Sequence, residues 1–278
     1  MTNLRERMKE EMILVGLAES TQGIYLKAVE NLHDYYRKSP AKLSTEEIRQ
    51  YLLHLLQKKK LAPNTYNTHI YALRFFYCIT LRKPLHKLEL PTTKVKYTLP
   101  SILSRDEVQR LIKATGNIKH RALLMLIYGA GLRVSEALSL RINDIDSARM
   151  TLHIRDCKNG KDRYVLLSPV VRDVLRDYWK SCRFTDYVFP GEKDNKPLTT
   201  SSTSAIFKSA KAAAGIKKPG GIHALRHAFA THLLESGADL YAIKSLLGHS
   251  SIHSTVRYLE FVPSRHPNLR SPIEQLTL

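Results

Sequence analysis

His223-Ala224-Leu225-Arg226, then Leu247-Gly248-His249, then Tyr258 fill the last third of a 278-residue chain with imidazole, guanidinium and phenol groups. His223 and Arg226 are three residues apart, the spacing of one helix face. Upstream, Gly129-Ala130-Gly131-Leu132-Arg133-Val134-Ser135-Glu136 sets a second arginine behind a glycine-rich turn whose glycines permit close backbone approach. Between these motifs, Cys157-Lys158-Asn159-Gly160-Lys161-Asp162-Arg163 carries two lysines around Asn-Gly, the strongest short hairpin signal. Guanidinium is always charged and forks onto two oxygens, imidazole titrates near neutrality, and a phenol oxygen can serve as a nucleophile. Together these groups suit gripping a phosphate and moving protons around it.

Charge points the same way. The formal net charge is +19 and the pI about 9.8. The excess is shared, with 15 Lys and Arg against 9 Asp and Glu in residues 1–92 and 29 against 16 in the rest. A positive field over the whole length suggests a polyanion clasped by both parts, most simply nucleic acid. No basic amphipathic helix stands apart from the rest as an anionic membrane would require, and no stretch approaches the apolar length of a membrane span. Cys78, Cys157 and Cys182 have no paired spacing, which fits a reducing cytoplasm and no cysteine-based zinc site. The charged start, Met1 to Arg7, lacks the apolar run of a signal peptide. His223 and His227 are spaced i, i+4 with His232 nearby, as a zinc face would need. Acidic and cysteine ligands do not accompany them, and Arg226 among them would repel a cation, so His227 and His232 are expected to pack or cap helices.

The organisation is mainly α with a small β-sheet or hairpin. Residues 1–90 hold four amphipathic helices. Ser44-Thr45-Glu46-Glu47 is a capping box ahead of Ile48, Tyr51, Leu52, Leu55 and Leu56. Pro63 opens a helix with Tyr66, Ile70, Leu73, Phe76 and Tyr77 on one face. A third face runs through Ile24, Ala28, Leu32 and Tyr35, and residues 3–16 form a short first helix. Pro91, Lys94, Lys96 and Pro100 mark a linker over 91–101, suited to lying along a phosphate backbone. Ser104-Arg105-Asp106-Glu107 is a second capping box, heading a mixed α+β domain over 102–262. Helices are expected at 106–115, 119–129, 169–182, 199–214, 223–236, 239–246 and 252–261. Thr151 to Arg155 and Arg163 to Leu167 alternate as strands. Residues 263–278, with Pro263, Pro267 and Pro272, form an extended tail.

Two arginines, two histidines, a lysine and a tyrosine in this order and local sequence resemble the tyrosine recombinase (lambda-integrase) family. The resemblance covers most of residues 100–262, and in its motifs looks most like Xer-type and integron or transposon-linked integrases. It implies an all-helical SAM-like core-binding domain followed by a mixed α+β catalytic domain, with no metal or cofactor. The implied activity is site-specific recombination through a covalent 3′-phosphotyrosine. Tyr258 would be the nucleophile, and Arg133 and Arg226 the clamp on the scissile phosphate. Lys158 would be the general acid, with Lys161 an alternative. His223 would take or relay the tyrosine proton, His249 would hydrogen-bond the phosphate, and Glu136 would steady Arg133. Glu260 stands where relatives often carry a histidine. The implied partners are double-stranded DNA, a homotetramer on two sites linked by exchanged tails, and accessory DNA-bending factors, in the nucleoid of the cytoplasm. A DNA-binding protein of the same fold without catalysis is the alternative, and the intact set of six residues favours the enzyme.

Overall fold

The computed structural model describes residues 2–83, 90–95, 101–155, 162–192 and 196–261. Lys158, Lys161, the Asn159-Gly160 turn and the 263–278 tail lie outside them. The chain divides into two compact units, residues 1–98 and 99–278.

The first unit is helical: α1 (Thr2–Leu14), α2 (Glu19–Tyr36), α3 (Thr45–Gln57) and α4 (Pro63–Arg74). Local signals start the helices as the residues dictate. Ser44 Oγ accepts from the Glu47 amide at 3.1 Å while the Glu47 carboxylate accepts from the Ser44 amide at 2.8 Å. Pro63 occupies the first turn of α4, where its missing N–H costs nothing. α4 runs on into a π-helical segment, Phe75–Thr80, that turns Phe76 and Tyr77 into the core. The buried Tyr77 hydroxyl donates to the Pro40 carbonyl. Met8 and Met12 join Leu32, Ile48, Tyr51, Leu55, Tyr66, Ile70 and Leu73 in one cluster. One expected face is rotated. Leu32 and Ala28 are buried, yet Ile24 is 53% and Tyr35 44% exposed, and the inward stripe of α2 is Gln22, Leu26, Val29 and Leu32. Tyr35 lies over the edge of α3, 5.3 Å from the Tyr51 ring centroid. Leu90 is buried in the same cluster, and Asn67 exchanges hydrogen bonds with the Thr93 backbone, so the start of the 91–101 stretch is tied to this unit.

The second unit contains α5 (Arg105–Lys113), α6 (Ile118–Ala130), α7 (Val134–Ser139), α8 (Pro169–Cys182), α9 (Thr200–Ala213), α10 (His223–Glu235), α11 (Leu240–Leu247) and α12 (His253–Val256). α6 is apolar nearly all round and is accordingly buried at the centre. A three-stranded antiparallel sheet, β1 (Ile145–Asp146), β2 (Thr151–Ile154) and β3 (Arg163–Leu166), pairs Leu152 with Val165 and Ile154 with Arg163. Leu152, Ile154 and Val165 face the core, while Tyr164 and Leu166 face outward. α7 begins at the helix start expected behind the glycine turn, with Arg133 as its N-cap, whereas β1, only two residues long, shows no alternation that could announce it. The expected helix over 252–261 is split. α12 is followed by a 3₁₀ segment, Arg257–Phe261, and Thr255 of α12 and Tyr258 of the 3₁₀ segment are both buried. Among the described residues no helix is long and apolar enough to cross a membrane.

Candidate active site

Arg133 stands at the N-terminus of α7 with extended backbone angles. Its guanidinium donates to Glu136 Oε1 at 2.6 Å, its amide donates to Glu136 Oε2 at 2.8 Å, and Nη2 donates to the Gly248 carbonyl at 3.3 Å. Glu136 thus caps the helix and aims the arginine, as expected of a supporting residue. It also does more. Arg163, pointing inward from β3, donates to both Glu136 oxygens at 2.9 and 2.8 Å and to the Leu246 carbonyl at 3.0 Å. Arg226 lies 3.6 Å from the same carboxylate. Burial pushes the Glu136 pKa up, but the hydrogen bonds from Arg163 and from the Arg133 backbone outweigh it and hold the carboxyl at about 2. Three guanidinium groups therefore converge on one carboxylate and leave a local surplus of positive charge.

Arg226 projects from α10 and is buried. Its Nη1 donates to the Gly131 carbonyl at 2.8 Å and its Nη2 to the Leu247 carbonyl at 2.6 Å. Burial, then Arg133, lowers its pKa to about 10, so it remains charged at neutral pH. Gly131 is required here. Its φ is +61°, and a Cβ would sit 2.3 Å from the Phe229 ring of α10. The close approach expected at this turn is an approach to α10, and it brings the Gly131 carbonyl to Arg226. Gly248 also has φ +61°, and its Cβ would lie 2.9 Å from Arg163 Nη1. The Leu-Gly-His motif thus lies directly against the Arg163–Glu136 pair.

His249 follows that glycine. Its Nδ1 is 2.9 Å from the buried Thr255 hydroxyl, which orients the ring and leaves Nε2 for a ligand. Burial, followed by Arg226 and Arg133, depresses its pKa to about 4. His223, exposed at the first position of α10, is lowered by desolvation and then by Arg226 and Arg133. Tyr258 is 5% exposed, held with Ala230, Ile243 and Leu247 between α10, α11 and the 3₁₀ segment. Its hydroxyl is 3.0 Å from His227 Nδ1.

Five of the six expected site residues, Arg133, His223, Arg226, His249 and Tyr258, are thus brought together, and Lys158 lies outside the described residues. His232 packs as expected, its Nδ1 2.9 Å from the Tyr128 hydroxyl, which takes it away from His223 and His227. His227 departs from expectation by touching the phenol. Arg163 was missed, although period-2 alternation with Val165 already turned it inward, where an arginine demands a carboxylate. Among the described residues no three His, Cys, Asp or Glu side chains gather as a metal would need.

This fold is that of the phage integrase family. Residues 101–264 match its family model and residues 4–87 match that of the phage integrase N-terminal SAM-like domain, so the chain belongs to the family of tyrosine recombinases. A provisionally named integrase/recombinase of Sinorhizobium fredii, y4qK, is 42% identical over 99% of this chain and 90% of its own. Tyrosine recombinase XerD of Oceanobacillus iheyensis is 31% identical over 90% of each chain. The fold also matches the crystal structure of the XerH site-specific recombinase bound to palindromic difH substrate, with TM-score 0.72 and 22% identity over 88% of this chain and 77% of that one.

Proposed function

We propose that this site-specific recombinase cuts and rejoins DNA strands through Tyr258. The phenol oxygen attacks the scissile phosphorus, the 5′ oxygen departs with a proton, and a 3′-phosphotyrosine remains. A phenol (pKa about 10) is a better leaving group than an alkoxide, so the intermediate stays open to attack by a DNA hydroxyl and the bond energy is conserved. Arg133 and Arg226 hold the non-bridging oxygens and follow the charge that grows on them. His249 donates to the same phosphate through Nε2, His223 assists from the rim, and Lys158, or Lys161 in its place, protonates the 5′ oxygen. The observation that carries this reading is the convergence of Arg133, Arg163 and Arg226 on the single carboxylate of Glu136. The unbalanced positive charge calls for an anion, and a buried tyrosine stands beside it. A phosphate also offsets the arginine field that depresses the histidines, which makes them better donors once DNA is bound.

The same reading has residues 1–90 binding duplex DNA, 91–101 linking, and 102–262 catalysing. Four copies act on two sites through tails at 263–278 to integrate, excise or resolve mobile DNA in the nucleoid, with DNA-bending factors where a site needs them. A nicked duplex carrying a site selected from random DNA should yield a protein–DNA adduct. Tyr258→Phe should bind that duplex and form none. Arg133→Ala and Arg226→Ala should slow adduct formation at least ~100-fold with smaller losses in binding. An adduct persisting in Tyr258→Phe would overturn the assignment.

A further inference from the structure

Resting on Tyr258 as the nucleophile, we infer that His227 is the base that receives the tyrosine proton, which leaves His223 to the phosphate. His227 lies one helical turn beyond His223 on α10, and its Nδ1 is 3.0 Å from the Tyr258 hydroxyl. That distance is within direct proton-transfer reach before any substrate arrives. The two rings are 5.8 Å apart at 51°, so the contact is a hydrogen bond and not a stack. With the imidazole neutral and its proton on Nε2, the phenol donates to Nδ1. Packing holds this pair in place, since Tyr258 is clamped among Ala230, Ile243 and Leu247 and α10 is the helix that carries Arg226.

The step balances. As the Tyr258 Oη–phosphorus bond forms and the bond to the 5′ oxygen breaks, the phenol proton passes to His227 Nδ1. The departing oxygen takes its proton from the general acid. On rejoining, the attacking 5′ hydroxyl returns its proton to that acid, and the imidazolium returns the other to the phenolate. The charges around His227 make the transfer dependent on substrate. Burial, together with His223, Arg226 and Arg257, holds its pKa at about 4 in the free protein, so the tyrosine rests protonated. A phosphate seated on Arg226 offsets that repulsion and favours an imidazolium when the proton must move.

The test is single-turnover adduct formation by the full chain on the nicked duplex. His227→Ala removes both contact and base. His227→Asn keeps an acceptor near the Nδ1 position but cannot take a proton. Both are expected to lose ~100-fold or more in rate, the scale of a general base, with DNA binding retained, and added imidazole should raise the rate of the Ala variant. A wild-type rate in either variant, or an Ala variant that imidazole leaves slow, overturns the inference. Adduct formation by Tyr258→Phe is a separate result, which removes the nucleophile assignment and not merely the base.

Discussion

At the scale of single residues, Glu136 carries the greatest load. One buried carboxylate is the counter-charge for Arg133, Arg163 and Arg226, and it must leave surplus charge for a ligand while keeping the arginines in place. Its folded pKa, about 2, lies below the ordinary 4.5. A depressed carboxyl stabilises the fold at pH above its unfolded value, and that contribution is lost as pH falls through the folded one. Unfolding free energy from urea titrations should therefore decline as pH drops from 4.5 towards 2. Glu136→Gln should flatten that part of the acid limb and destabilise the protein at neutral pH by about 3–5 kcal/mol, because three guanidinium groups lose their partner. An unchanged acid limb in the variant would show that the carboxylate is not the linked group.

At the scale of elements, the site is assembled where the Leu-Gly-His turn ends α11. Gly248 closes that helix in the left-handed conformation and lies against Arg163, so one backbone position sets both the exit of the chain toward His249 and the fit of β3 beneath it. Gly237 provides a natural control. Its φ is +85° but a Cβ there meets nothing within 4 Å. Gly237→Ala should cost about 1–2 kcal/mol from backbone strain alone. Gly248→Ala carries the same strain plus the collision with Arg163, and should cost more in thermal unfolding while also slowing adduct formation. Equal effects of the two substitutions would show that Arg163 yields freely and that the turn does not govern the site.

At the scale of the whole molecule, the +19 charge is spread over both parts of the chain, and binding should follow counterion release. Affinity for a single duplex site is expected to fall linearly in log–log terms with salt. Assembly is a separate matter from binding. Leu269, Ile273, Leu276 and Leu278 give the 263–278 tail apolar residues that a groove on another copy would cover. Deleting residues 264–278 should leave the single-site salt titration unchanged and abolish the complex that joins two sites, as read by native gels with two duplexes of different length. Paired-site complexes formed by the shortened chain would remove the tail from the assembly.

How much was legible in the sequence depended on the range of the interaction. The caps at Ser44 and Ser104, Pro63 at a helix start, the bounds of α8 and the strand pairing of Leu152 with Val165 rest on contacts between near neighbours or on simple alternation. The candidate set Arg133, His223, Arg226, His249 and Tyr258 was picked out by the resemblance of its short motifs, in that order, to the tyrosine recombinase family. What lay beyond reach were partners set by packing. Ile24 and Tyr35 look like core from spacing alone, yet both are exposed and Tyr35 lies against Tyr51 of α3. Arg163 meets Glu136 across 27 residues, and His227 meets Tyr258 across 31. No local preference encodes such distances. Only once α10, α11 and the 3₁₀ turn are packed does the tyrosine acquire a histidine, because a buried phenol favours a hydrogen-bond partner and packing sets His227 beside it.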